Sequence, residues 1–142
     1  MKVLITVAWA VALFILTCNA NLSHLLHNHV LQFRWTSQPN FADLLNIDKS
    51  NFVNPHYLVQ KAGHFLGFSV LALLLLDVTQ SYKKALGIAV FFAVFTEIMQ
   101  LYFTRDGRVL DMGIDTLGIV MAFGFMNAAR RRVGKEKAGT RV

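Results

Sequence analysis

Three largely apolar runs, Tyr57 to Leu76, Ala85 to Phe103 and Asp111 to Ala129, follow one another with only short polar breaks. Each is about the length of helix that crosses a hydrocarbon layer. A fourth run, Val3 to Thr17, is uncharged and precedes them; it reaches spanning length when extended to Asn19 or Leu22. The chain is 55% hydrophobic and only 15% charged, too little polar side chain to cover the outside of a soluble bundle of this size. These features predict an all-α membrane protein, a single domain with a bundle of about four transmembrane helices. The expected spans are about 3–22, 57–76, 85–103 and 111–129, with an outer segment at about 23–56 and a basic tail over 130–142.

Charge placement sets the expected orientation. The formal net charge is +6, yet Lys2, Lys83, Lys84, Arg130, Arg131, Arg132, Lys135, Lys137 and Arg141 all fall on one side of a four-span arrangement. By the positive-inside rule that side is cytoplasmic, so both termini face inward and the protein is a multi-pass protein of the cell membrane. A basic tail beside a span secures topology and touches anionic lipid; membrane lipid is the expected partner and nucleic acid is not. Cys18 is the only cysteine, so no internal disulfide forms. Leu16-Thr17-Cys18 lacks the small residue that usually precedes a lipidated cysteine.

The first run reads as an uncleaved anchor or as a signal peptide with a poor cleavage site at Cys18-Asn19-Ala20; both deliver residue 21 onward to the outside. In the polar stretch that follows, Leu22, Leu25, Leu26, Val30 and Phe33 recur at helical spacing, which predicts a helix lying along the membrane surface. His24, His27 and His29 have no thiolate or carboxylate close by in sequence and read as polar face rather than as metal ligands. Asn54-Pro55 reads as a helix start, Asn as N-cap and Pro at the first helical position. Asp77 to Lys84 and Thr104 to Arg108 read as turns.

In this topology Lys61 and His64 enter the second span from outside, Glu97 and Gln100 leave the third, and Asp111 and Asp115 re-enter in the fourth. All lie in the outer half. The spacings, three, three and four residues, put each pair on one helical face. Gly118 continues the last stripe one turn deeper, where a small residue lets another helix approach. A charge facing lipid near mid-membrane costs about 2.5–3.5 kcal/mol, so these groups are expected to face one another. Lys61, Arg108 and Arg105 would supply positive charge against Glu97, Asp111 and Asp115, with His64 setting the balance. The cluster is then either a polar pocket, open outward and holding a ligand, proton or cation, or an ion-pair network that fixes helix register.

The same residues carry a resemblance. KAGH at Lys61 to His64, EIMQ at Glu97 to Gln100 and RVLDMGIDTLG at Arg108 to Gly118 stand in the order and spacing found in the VanZ-like family of small bacterial membrane proteins. Trp35-Thr36-Ser37-Gln38-Pro39 is similar to the Ser-Ser-Gln-Pro text that follows the first helix in that family. The resemblance covers about Trp35 to Phe125. Position 115 is Asp where many relatives carry Asn, which adds a negative charge to the pocket, and the first outer segment is longer and richer in His. The family takes its name from a protein conferring low-level teicoplanin resistance, so the resemblance implies a cell-envelope role and names no reaction.

Three function classes remain open from sequence. The first is a non-enzymatic envelope protein that alters access of amphiphilic antibiotics or handles a lipid headgroup, with Lys61 and Arg108 meeting phosphate and Glu97, Asp111 and Asp115 meeting an amine or holding the two basic side chains in place. The second is an intramembrane metal-dependent enzyme using His64, Glu97, Asp111 and Asp115; an ammonium at Lys61, competing for the same carboxylates, weighs against it, and no metal or cofactor is expected. The third is an interaction module, for which Gly87, Gly113, Gly118 and Gly124 would be docking points, although they read first as internal packing positions.

Overall fold

The computed structural model describes residues 1–19, 30–45, 55–105 and 107–139. Among them every regular element is helical: α1 (Lys2–Cys18), a short 3-10 helix (Phe41–Leu45), α2 (Pro55–Thr79), α3 (Tyr82–Tyr102) and α4 (Val109–Gly139). Three of these, over Tyr57–Thr79, Tyr82–Tyr102 and Val109–Arg132, are long and apolar enough to cross a membrane, while α1 is apolar and shorter.

The surface is arranged as for lipid. Phe91 and Phe125 are about 70% exposed, and Val59, Leu66, Ile88 and Val120 also face outward, while Glu97 and Asp115 are fully buried. In water that distribution would be inside out; in a bilayer it puts apolar side chains against acyl chains and polar ones against each other. Threonine hydroxyls within the helices bond to their own helix backbone: Thr6 donates to Lys2 O at 3.0 Å, Thr96 to Ala93 O at 2.9 Å and Thr116 to Met112 O at 2.7 Å.

The helices exceed several of the expected bounds. Pro55 is the first residue of α2, as its missing N–H and fixed φ favour, and α2 then runs to Thr79. The expected turn from Asp77 to Lys84 is therefore only Gln80 and Ser81 long. Gln80 takes φ 51° and its N–H donates to Leu76 O at 2.9 Å, an αL stop that a polar residue tolerates. At the other end α4 continues through the basic segment to Gly139, because Arg, Lys, Glu and Ala are all good helix formers. In contrast, α1 stops at Cys18, and Asn19 turns extended with its N–H on Ile15 O, so the first helix does not reach Leu22.

Val30 to Pro39 holds no helix, which contradicts the expected surface helix over that part. Here aromatic stacking on the end of α3 replaces helical pairing. Leu22, Leu25, Leu26, His24, His27, His29 and Asn54 lie outside the described residues.

The most extensive interface is α2 with α4. Its closest approach is at Gly118, where an added Cβ would come 2.4 Å from Phe65 O and 3.0 Å from Ser69 Oγ. Ser69 Oγ lies 2.7 Å from Phe65 O and 2.9 Å from Gly118 O, sharing its proton between the two helices, as small and hydroxylated residues do in membrane bundles. Gly118 is thus the packing glycine the sequence pointed to. The expectation of internal packing fails at Gly87, Gly113 and Gly124, where a Cβ would meet nothing within 4 Å, because those positions face away from the neighbouring helices. Helix α1 leans on α2 through Trp9 Nε1, which donates to Gly67 O at 3.0 Å. At the end remote from the polar groups, Lys2 and Asp77 form an exposed ion pair at 2.8 Å.

Candidate functional site

The antiparallel run of α2, α3 and α4 brings the start of α2, the end of α3 and the start of α4 to one end of the bundle. Every member of the predicted polar pocket is there. Lys61 and His64 come from α2, Glu97 and Gln100 from α3, Asp111 and Asp115 from α4, and Arg108 from the turn before it. Lys61 is partly buried and the other six are buried, so the cluster is an interior one.

It divides into two parts. Lys61 Nζ donates to Asp111 Oδ2 and also stands 4.6 Å above the Tyr57 ring centroid, so the ammonium has a carboxylate and an aromatic face. Deeper in, His64 Nδ1 lies 3.3 Å from Asp115 Oδ1 and 3.7 Å from Glu97 Oε1. Glu97 is held at both oxygens: Gln100 Nε2 donates to Oε1 at 2.6 Å and the backbone N–H of Arg108 donates to Oε2 at 2.9 Å. Asp115 Oδ2 lies 3.5 Å from His64 Nδ1, and among the described residues Asp111 Oδ1 and Asp115 Oδ1 are buried without a hydrogen-bond partner.

Backbone geometry at the α3–α4 turn makes this possible. A Cβ on Gly107 would lie 2.1 Å from Glu97 O, so only glycine lets the turn fold down onto the last part of α3. With Gly107 so placed, the next residue's N–H meets the Glu97 carboxylate. The sequence marked 104–108 as a turn and assigned Arg108 a role through its charge; its backbone contribution was not foreseeable from residue type.

Further residues complete that end of the bundle through contacts that the sequence did not indicate. Asn19, past the end of α1, accepts from Arg105 Nη1 through its backbone carbonyl, and its Oδ1 accepts from Gln32 N–H at 2.9 Å. Thr36 N–H donates to Tyr102 O at 2.8 Å and Thr104 Oγ1 to Arg34 O at 3.3 Å. Trp35 stacks on Tyr102 with centroids 5.3 Å apart and meets Phe103 edge-on at 5.3 Å. Together these ties lay residues 30–39 across the end of α3.

Between that segment and the turn runs a groove of about 320 Å³. Thr36, Gln38, Asn40, Asp43, Thr104 and Arg105 give it polar walls, and Pro39 and Leu101 an apolar lining. It connects to the buried cluster through Arg105, whose N–H donates to Gln100 O at 2.9 Å. The resembling text Thr36-Ser37-Gln38-Pro39 thus supplies part of the groove wall, a role no periodicity argument would have assigned.

The family model described as VanZ/LLP1 matches residues 2–130, which takes in α1, α2, α3, most of α4 and every residue of the cluster. The chain is 30% identical over 132 residues to a Bacillus subtilis (strain 168) protein named "Uncharacterized membrane protein YwnJ", covering 93% of this chain and 94% of that one. No solved structure matches.

Proposed function

Because the chain belongs to the VanZ/LLP1 family, we propose that this helical membrane protein is a multi-pass protein of the cell membrane that works at the envelope without catalysis. It meets teicoplanin-type or other envelope-active amphiphiles, or the lipid headgroups beside them, at the outer end of its bundle. One observation carries the reading: buried polar side chains from three helices gather at one end, under a polar groove, and the basic flanks lie toward the other. Intramembrane ionisable groups are costly and are kept mainly where they serve function.

The groove limits what is met. At about 320 Å³ it stands at the lower end of small-molecule sites, so it fits a headgroup or one sugar of an amphiphile rather than a whole glycopeptide. Arg105 and the Gln38 amide suit a hydroxylated or zwitterionic group there, with Asp43, which accepts from Asn40 Nδ2 at 2.9 Å, as the negative wall. Lys61 is paired with Asp111, so that pair braces the cluster beneath the groove.

The test is a sensitivity panel against teicoplanin and related envelope-active compounds. It compares a deletion, wild-type complementation, and Glu97→Gln and Asp115→Asn variants at matched membrane abundance. Protection by wild type and its loss in both variants is the expected result. A deletion indistinguishable from wild type removes the resistance role; full protection by both variants makes the cluster structural.

A second reading, an intramembrane metal-dependent enzyme acting on a lipid-linked substrate, is favoured by a single feature: one donor atom each from His64, Glu97 and Asp115 lie within 4.8 Å of one another.

A further inference from the structure

We propose that His64, Glu97 and Asp115 form a binding site for one divalent transition-metal ion, a zinc or manganese ion in the chemistry it would take, which ties α2, α3 and α4 together at the cluster end. The site stands apart from the amphiphile reading and needs no catalysis.

The first argument is spacing. With metal–ligand bonds of about 2.1 Å, neighbouring donor atoms around a tetrahedral or octahedral ion stand about 3.0–3.4 Å apart. Nδ1 of His64 lies 3.3 Å from Asp115 Oδ1 and 3.7 Å from Glu97 Oε1, and all three donors fall within 4.8 Å. The two His64 contacts stand at or within a few tenths of an ångström of ligand spacing, and the remaining pair, bounded by 4.8 Å, closes on the ion by a larger side-chain shift.

The second is the state of the donors. Asp115 reaches His64 Nδ1 with both oxygens, Oδ2 in a long hydrogen bond at 3.5 Å and Oδ1 at 3.3 Å, and among the described residues the buried Oδ1 accepts no hydrogen bond, a costly condition for a carboxylate oxygen. Glu97 is already oriented by Gln100 Nε2 and the Arg108 N–H, as the carboxylate ligands of metal sites are. Each of its oxygens keeps a further lone pair. Two carboxylates this close in a low-dielectric interior repel one another; a divalent ion shared between them neutralises both, whereas a proton on His64 neutralises one.

The third is the place of Lys61. From sequence, its ammonium was expected to compete for the same carboxylates. In the structure it is engaged by Asp111 and the Tyr57 ring, which leaves Glu97 and Asp115 to the imidazole. One imidazole and two carboxylates make a mixed nitrogen and oxygen set suited to zinc and manganese.

The experiment uses the full chain purified in detergent, stripped with chelator, and then titrated with Zn²⁺ or Mn²⁺. Wild type is expected to take up one ion per chain, to gain Tm on addition of the ion, and to convert the aqueous Mn²⁺ resonance into a bound signal. His64→Gln, Glu97→Gln and Asp115→Asn should each weaken uptake about tenfold or more, while Asp77→Asn at the opposite end leaves it unchanged. If wild type binds neither ion, or the three variants bind as wild type does, the site does not exist. The wild-type measurement decides even if a variant fails to fold, and its outcome is separate from that of the sensitivity panel.

Discussion

Lys61 on α2 pairs with Asp111 on α4, and that pairing separates a lysine-carboxylate bridge from the deeper set of His64, Glu97 and Asp115. The bridge spans the most extensive interface of the bundle, a few residues from the close approach at Gly118. It therefore joins electrostatics to packing, and its energetics are open to direct test.

Removing one member leaves the other as a buried charge without its partner. Lys61→Met or Asp111→Leu alone is expected to destabilise the bundle by about 3–5 kcal/mol. The double variant should recover most of that loss, since apolar residues of similar volume often replace buried ion pairs at little cost. Thermal unfolding of the three variants in detergent checks this, and a double variant whose loss is the sum of the two single losses would show that the pair contributes little.

At Gly118 a single methyl group must displace backbone or the Ser69 hydroxyl. Gly118→Ala should cost about 1–3 kcal/mol, the range for overpacking. Gly113→Ala, where a Cβ meets open space, should be neutral or stabilising by up to about 1 kcal/mol. Paired Tm measurements separate the two positions; equal effects would mean that helix propensity, and not the α2–α4 approach, governs both.

Gly107→Ala is expected to act at a distance from its own side chain. A Cβ there collides with Glu97 O, so the turn must lift and the Arg108 N–H must leave the Glu97 carboxylate. Hydrogen exchange at the Arg108 amide should accelerate by more than tenfold, which corresponds to losing about 1.4 kcal/mol of local protection. Unchanged exchange would show that the turn can accommodate the methyl group.

The aromatic contacts of Trp35 with Tyr102 and Phe103 are worth about 0.5–1.5 kcal/mol per pair beyond area burial. Trp35→Ala should loosen residues 30–39 while sparing the helices. The Thr36 amide, which donates to Tyr102 O, should exchange faster, with helical content constant by circular dichroism. Loss of helix instead would assign Trp35 a role in the bundle itself.

Orientation has a chemical test. With Cys18 replaced by Ser, Gln38→Cys should react with a membrane-impermeant maleimide in intact cells, and Arg131→Cys only after permeabilisation. The reverse pattern would turn the bundle over and place the polar cluster inward.

The amino-acid sequence by itself determined that helices would form, roughly where, and which polar side chains would share an end. Those outcomes follow from run length, from the cost of charge in lipid, and from the three- and four-residue spacing within Lys61/His64, Glu97/Gln100 and Asp111/Asp115. Gly118 was legible for the same reason, as the next small residue on a polar stripe. Tertiary structure alone decided who pairs with whom. Six polar groups at one end admit several pairings, and the choice of Lys61 with Asp111 and His64 with Glu97 and Asp115 depends on helix rotation and depth, which are set by contacts such as Ser69 with Gly118. The same holds for Gly107, for the backbone contribution of Arg108, and for the placement of Thr36 and Gln38 on the groove. Each depends on a distance between segments far apart along the chain, and local periodicity carries no information about such distances.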